Sequence, residues 1–390
     1  MRLVLPREDG SLQPYALTHA SSPFTMAHPA RWNRTAYAAA HVVVDPLKSC
    51  DPWDGPPLVD WDATLRFRAH LWRLGFKIAE AMDTAQRGMG LDWPTALELI
   101  RRSIAHAKTI QGADLACGVG TDQLALDARV TIAAVMRAYE EQIEAVEAAG
   151  GRIILMASRA LAAAAKNADD YKRVYSELLR QCRGRVVLHW LGEVFDPELR
   201  GYWGTTDISQ AMDTVLDIIC ANAARIEGIK ISLLDARWEM EMRSKLPQGV
   251  IMFTGDDFNY DNLIAGDGAH HSHALLGIFD PIAPAAAAAL NALAIGDGNT
   301  YRAVLAPTIA LSREIFRAPT RHYKAGVIFI AWLNGHQDHF VAAGGLQSAR
   351  SVLHYAKVFE FADRCGVLAD PGLAVSRMRS FLQVHAGIAQ

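Results

Sequence analysis

Residues 228–235 read Gly-Ile-Lys-Ile-Ser-Leu-Leu-Asp, a strand-length apolar run that holds one lysine, Lys230. Side chains alternate across an extended strand, so Lys230 and Ser232 share one face while Ile229, Ile231 and Leu233 share the other. If the isoleucine face is packed, the lysine faces an enclosure. Burial disfavours an ammonium, moving its pKa from about 10.4 toward the neutral range where an amine attacks a carbonyl. The competing reading is a strand-end lysine that reaches solvent or pairs with Asp235 or Asp257.

Working outward, short apolar runs alternate with longer stretches of helical period, the pattern of a parallel sheet covered by helices. The predicted strands are Ala38 to Val44, Lys77 to Ala81, Asp114 to Cys117, Arg152 to Ala157, Arg185 to Trp190, Gly228 to Leu233, Val250 to Thr254 and His273 to Gly277. Eight strands suit a closed (β/α)8 TIM barrel of the α/β class, placed at residues 37–297. Between them helices are expected at Trp61 to Leu74, Trp93 to Lys108, Arg129 to Ala149, Asp169 to Cys182, Ile208 to Ile226 and Ala283 to Ile295. Asp60 and Asp92 stand as caps before the first two. Residues 1–36 are weakly patterned and read as an irregular lead-in. Residues 298–390 carry helical patterns without a strand pair and read as a C-terminal helical extension. Its aromatic and small residues around Phe329 to Gly345 suit packing over the barrel or on a second subunit.

The 390 residues are 51% hydrophobic and 21% charged, enough for a large core. The net charge of −3, without a run of Lys or Arg, offers no surface for a phosphate backbone, so nucleic acid is not an expected partner. The five cysteines, Cys50, Cys117, Cys182, Cys220 and Cys365, are scattered without a CxxC pair and read as reduced, mostly buried thiols. There is no signal-peptide core and no membrane-length apolar run, so a cytoplasmic protein without membrane association is expected.

In α/β barrels chemistry collects at the carboxyl ends of the strands. The polar residues there are Asp83, Thr84 and Gln86 after strand two, Cys117 to Gln123 after strand three, and Ser158 and Arg159 after strand four. His189, Trp190 and Glu193 follow on strand five, Lys230 and Ser232 on six, Asp256 and Asp257 after seven, and Phe279 and Asp280 after eight. GVGTD at Gly118 to Asp122 lacks the full spacing of a phosphate loop and reads as a structural turn. One of Asp256 and Asp257 is expected to cap the next helix. His270, His271 and His273 invite a metal reading, but HHxH in a loop lacks the helical spacing of zinc motifs and a close acidic ligand, so no metal and no cofactor is assigned.

With this order of features the chain resembles the dihydrodipicolinate synthase and N-acetylneuraminate lyase superfamily of class I aldolases, as a divergent, uncharacterised branch. The resemblance runs from Tyr37 to Gly345 and is most specific where GIKISLLD is followed by FTGDDFNY. It implies that Lys230 forms a Schiff base, that Gly255 and Asp256 make the strand-seven turn, and that MDTAQ, residues 82–86, matches the family's Gly-Thr-Thr-Gly-Glu stretch. Thr84 then supplies a substrate-binding hydroxyl and Asp83 stands where a second threonine would be. The family's proton-shuttling tyrosine falls at His189, and the arginine that clamps a keto acid is missing, with Arg159 as a replacement by position only. The resemblance also implies a homo-oligomer, a dimer or tetramer.

The expected enzyme is thus a carbon–carbon or carbon–oxygen lyase or dehydratase acting on a small carbonyl compound, with a sugar or keto-sugar derivative suited to the polar pocket. Lys230 is the nucleophile, His189 moves protons, and Asp257 or Asp256 orients it or binds a substrate hydroxyl. Asp83, Thr84, Gln86, Arg159, Trp190, Ser232, Asp256 and Phe279 bind substrate. Two alternatives stay open: a metal-dependent sugar isomerase or hydrolase using His189, Glu193, Asp257 and a histidine of HHxH, and a non-catalytic ligand-binding barrel.

Overall fold

The computed structural model describes residues 1–24, 31–48, 51, 55–125 and 130–389. Cys50 and Arg129 lie outside the described residues. The chain packs into two compact units, one of residues 34–40 and 77–277, the other of residues 1–33, 41–76 and 278–390.

Residues 2–16, where no regular element is expected, form an antiparallel hairpin of β1 (Arg2–Pro6) and β2 (Leu12–Ala16), paired from Arg2 with Ala16 to Pro6 with Leu12. The barrel strands follow as β3 (Ala36–Ala39), β4 (Lys77–Glu80), β5 (Leu115–Val119), β6 (Arg152–Leu155), β7 (Val186–Leu191), β8 (Ile226–Ser232), β9 (Ile251–Thr254) and β10 (His273–Leu276). All neighbouring pairs are parallel, and β10 returns to β3, closing the ring as expected. The run predicted to end at Val44 stops as a strand at Ala39; Val44 instead makes an antiparallel bridge to Val59.

The barrel is filled by Tyr37, Ala39, Ala79, Met82, Ala116, Ile154, Val187, Phe253 and Leu275. Within this cluster Tyr37 meets Phe253 edge to face at 5.7 Å. This set fixes the parity of every strand. On β8, Val187 pairs with Gly228 and His189 with Lys230, so Gly228, Lys230 and Ser232 face inward. Ile229 and Ile231, buried on the opposite face, supply the packing that the lysine's enclosure requires.

Helices α1 (Trp61–Arg73), α2 (Trp93–Ala107), α3 (Ile132–Ala149), α4 (Arg159–Ala164), α5 (Ala168–Gln181), α6 (Ile208–Ala221), α7 (Ala236–Lys245) and α8 (Tyr260–Ala265) alternate with the strands, and α9 (Ala283–Ala294) follows the last. Asp60 caps α1 by accepting from Ala63 N at 2.9 Å, and Asp92 caps α2 by accepting from Thr95 N at 3.0 Å. The alanine run after Pro284 lies in α9. Beyond it come α10 (Gly298–Leu305), α11 (Thr308–Ile315), α12 (Tyr323–Leu333), α13 (Val352–Arg364) and α14 (Pro371–Ala386). Every residue of α12 is buried.

In this second unit His41 Nδ1 lies 2.7 Å from Asp280 Oδ2, which also accepts from the His41 backbone N at 2.8 Å. Arg68 donates to the His41 carbonyl at 2.5 Å. Burial pushes the nearby His70 imidazole down to about 4. Among the described residues no helix is long and apolar enough to cross a membrane. Cys117, Cys182 and Cys365 are buried free thiols, whereas Cys220 is exposed.

Candidate active site

Lys230 is the fifth residue of β8, near its carboxyl end, flanked in register by His189 on β7 and Phe253 on β9. It is 8% exposed. Among the described residues no carboxylate forms an ion pair with it, and Asp235, one candidate for that role, binds Arg237 instead. Burial lowers the lysine's pKa from its ordinary value, and the charges of Asp257 and Asp83 restore part of the loss.

Gly255 follows β9, and a Cβ there would lie 2.2 Å from Ser232 Oγ, 2.6 Å from Ile231 O and 2.6 Å from Lys230 Cε. Only glycine lets the strand-seven turn close over the lysine. His189 is buried with Nε2 3.3 Å from Ser232 Oγ. Burial, and then the charge of Lys230, hold its imidazole well below the ordinary range. These surroundings favour the uncharged imidazole.

Asp256 is spent on its own turn. Its Oδ1 accepts from Phe258 N at 2.8 Å and Asn259 N at 3.1 Å, and Oδ2 accepts from Asn259 Nδ2 at 2.8 Å. The adjacent Asp257 is buried and is the first of the two carboxylates whose charges reach Lys230. Asp83 and the buried Thr84 form a short 3-10 turn after β4. Gln86 ends that turn at φ 63° and donates to Met89 O at 3.3 Å, folding back on its own loop.

Three residues expected as substrate contacts have other partners in the structure. Trp190 is on the face of β7 opposite His189 and packs edge-on against the buried Trp203 at 6.1 Å, so it lies in the helix layer and gives no stacking surface inside the ring. Arg159 donates through Nε to Asp196 Oδ2 at 2.6 Å, with its side chain 41% exposed, and its charge is already matched. Phe279 is buried and packs against Phe76 at 5.5 Å. The metal set does not converge: Glu193 is exposed near Arg200, and His273 Nδ1 accepts from Thr35 N at 2.7 Å. Among the described residues no three His, Cys, Asp or Glu side chains stand in a metal-holding arrangement.

A buried network under the GVGTD turn escaped the sequence reading. Arg87 donates to Asp122 Oδ1 at 2.6 Å through Nη2, to Asp122 Oδ2 at 3.0 Å through Nε, and to Gly118 O at 2.6 Å. Gln142 donates to Asp122 Oδ1 at 3.0 Å and accepts from Gly120 N at 2.7 Å. Burial pushes the Asp122 carboxyl up, but the Arg87 guanidinium outweighs it and leaves the pKa below the usual range. GVGTD is thus a structural turn, as its spacing suggests. Thr121 and Ser158 hydroxyls meet beside it at 2.6 Å. The signal for Arg87 was its place in the strand-two turn, one residue past Gln86.

A sequence profile of the family described as "Protein of unknown function (DUF993)" matches residues 3–388. No curated protein sequence matches the chain. Among solved structures, dihydrodipicolinate synthase from Aquifex aeolicus superposes with a TM-score of 0.63 at 11% identity, over 86% of this chain and 99% of that one. YagE from Escherichia coli K12, a prophage protein of the dihydrodipicolinic acid synthase family solved with pyruvate, gives 0.62 at 12% over 90% and 98%. Dihydrodipicolinate synthase from Bacteroides thetaiotaomicron gives 0.62 at 13% over 85% and 99%. At such identities the likeness is one of fold, and it is the fold the resemblance implied.

Proposed function

From a chain that belongs to the DUF993 family and folds as a (β/α)8 barrel, we propose a Schiff-base-forming lyase of class I aldolase type that acts on a small carbonyl compound through Lys230. The observation that carries this reading is the amine itself: inward-facing, buried, without an ion pair among the described residues, at the carboxyl end of a barrel strand. Burial shifts the amine toward the neutral form that attacks a carbonyl. Attack on the carbonyl carbon and loss of water give an iminium, which draws electrons from the adjacent bond and permits cleavage or dehydration there. His189, uncharged and beside Lys230, takes and returns protons, and Asp257 supports the cation. Asp83 and Thr84 bind substrate hydroxyls.

The substrate class follows from charge. Both groups that act on Lys230 are carboxylates and Arg159 is engaged by Asp196, which supports a neutral, hydroxylated ketone or aldehyde over a keto acid. Borohydride reduction with a panel of ketoses, aldehydes and pyruvate, followed by mass spectrometry, tests the reading. A reduced adduct on Lys230, lost in Lys230→Met, is expected. An adduct on no residue, or on another lysine, would refute it.

A further inference from the structure

Resting on the Schiff-base reading, we infer that the Ser232 hydroxyl carries the proton between Lys230 and His189, so that amine and imidazole share one proton throughout imine formation. The register places His189 directly beside Lys230 on the neighbouring strand. Ser232 lies two residues on, on the same inward face, with Oγ 3.3 Å from His189 Nε2. A Cβ at Gly255 would meet Ser232 Oγ at 2.2 Å and Lys230 Cε at 2.6 Å, so the hydroxyl and the end of the lysine chain border the same turn. Among the described residues no hydrogen bond joins Lys230 Nζ to Ser232 Oγ, and the relay forms when the amine turns toward the hydroxyl as substrate binds. Ser232 is 1% exposed, which keeps bulk water from doing the same work. A hydroxyl donates one proton and accepts another, so it relays without changing charge. A contact of 3.3 Å is long, but catalytic hydrogen bonds tighten when substrate binds.

The sequence of bonds closes without an outside proton. The Lys230 ammonium gives a proton to Ser232 Oγ as the serine's own proton passes to His189 Nε2, leaving a neutral amine and an imidazolium. The amine lone pair forms the N–C bond and the carbonyl π pair moves to oxygen, which takes a proton from the nitrogen to give the carbinolamine. The nitrogen lone pair then forms the C=N bond while the C–O bond breaks. The departing oxygen takes the proton returned from His189 through Ser232 and leaves as water. Ammonium and carbonyl have become iminium and water. Burial is the larger cause that depresses His189; proton transfer from Lys230 removes the second, the lysine charge, and a single positive charge stays before Asp257 and Asp83.

The test is the rate of Lys230 adduct formation with dihydroxyacetone and cyanoborohydride in wild type and Ser232→Ala. The variant should react about 10- to 100-fold more slowly, the lower part of the range for general acid–base catalysis. Its rate should also climb with pH through the neutral range, where the wild type is flat, because hydroxide must then deprotonate the amine. A serine with only a packing role would not create that slope. An adduct formed in Ser232→Ala at the wild-type rate and pH profile overturns the relay and leaves the Schiff base standing. No Lys230 adduct in the wild type overturns both. Should Ser232→Ala fail to fold, a proton inventory of the wild-type reaction in H2O/D2O mixtures decides: a curved plot supports two protons in flight, a straight one refutes the relay.

Discussion

Glu239 on α7 offers a pH experiment whose size follows from its surroundings. It is 1% exposed, and Oε1 accepts from Ser272 Oγ at 2.6 Å. Burial pushes the carboxyl up to about 8, hydrogen bonds from Ser272 and Thr254 hold it down, and the charge of Asp256 raises it again. In the unfolded chain the same group titrates near 4.5. Between these values the folded protein holds a proton that the unfolded chain has lost, so stability falls as pH rises, by up to about 1.4 kcal/mol per pH unit. Below the lower value both states are protonated and there is no penalty; above the upper one both are ionised and the full penalty, about 5 kcal/mol, is constant. Glu239→Gln is neutral at every pH and removes this slope. Urea denaturation of both proteins from pH 5 to pH 8.5 should show the variant gaining steadily on the wild type, with any fixed cost of the amide cancelling in the comparison. Parallel stability curves would show that the buried carboxyl is ionised in the fold, and would refute the reasoning.

Gly255→Ala should cost about 1–3 kcal/mol, since its methyl meets the Ile231 carbonyl at 2.6 Å, and should slow Lys230 trapping by displacing the amine; an alanine variant with native stability and trapping would contradict the packing. Asp122→Ala leaves the Arg87 guanidinium buried without its carboxylate and should cost about 3–5 kcal/mol in urea melts, with Arg87→Met/Asp122→Leu recovering much of it. Asp280→Ala breaks the buried contact to His41 and should lose a similar amount; a loss under about 1 kcal/mol, as for exposed pairs, would show that the contact carries little.

The barrel was legible because parallel strands covered on both faces read as apolar runs, and the eight runs fall at the eight strands. Their ends were less legible. Val42, Val43 and Val44 continue the apolar run past β3 because they are buried outside the sheet. The β1–β2 hairpin was missed since β2, LQPYA, buries only Tyr15 and carries a proline. Trp190 was within reach of the alternation that places Lys230: a residue adjacent to an inward His189 must face out. Arg87, Asp122 and Gln142 were not, because only the fold brings residues 35 and 20 positions apart into one network. Glu239 lies in ARWEMEMRSK, a stretch whose charges read as a solvated helix face, yet it points at Ser272.

The charges around Lys230 narrow the chemistry more than the fold does. At an effective dielectric of about 20, a substrate carboxylate about 6 Å from one aspartate would meet a repulsion of about 3 kcal/mol, and Asp83 and Asp257 are two such groups. A pocket for a keto acid needs a cation to offset this, and Arg159, nearest in sequence position to that role, is held by Asp196. A neutral hydroxylated ketone meets no such penalty, and its hydroxyls give the same carboxylates hydrogen bonds to accept. On the Schiff-base reading the two aspartates hold the single positive charge as it passes from ammonium to iminium on Lys230, so their charge suits the intermediate better than it suits an anionic substrate.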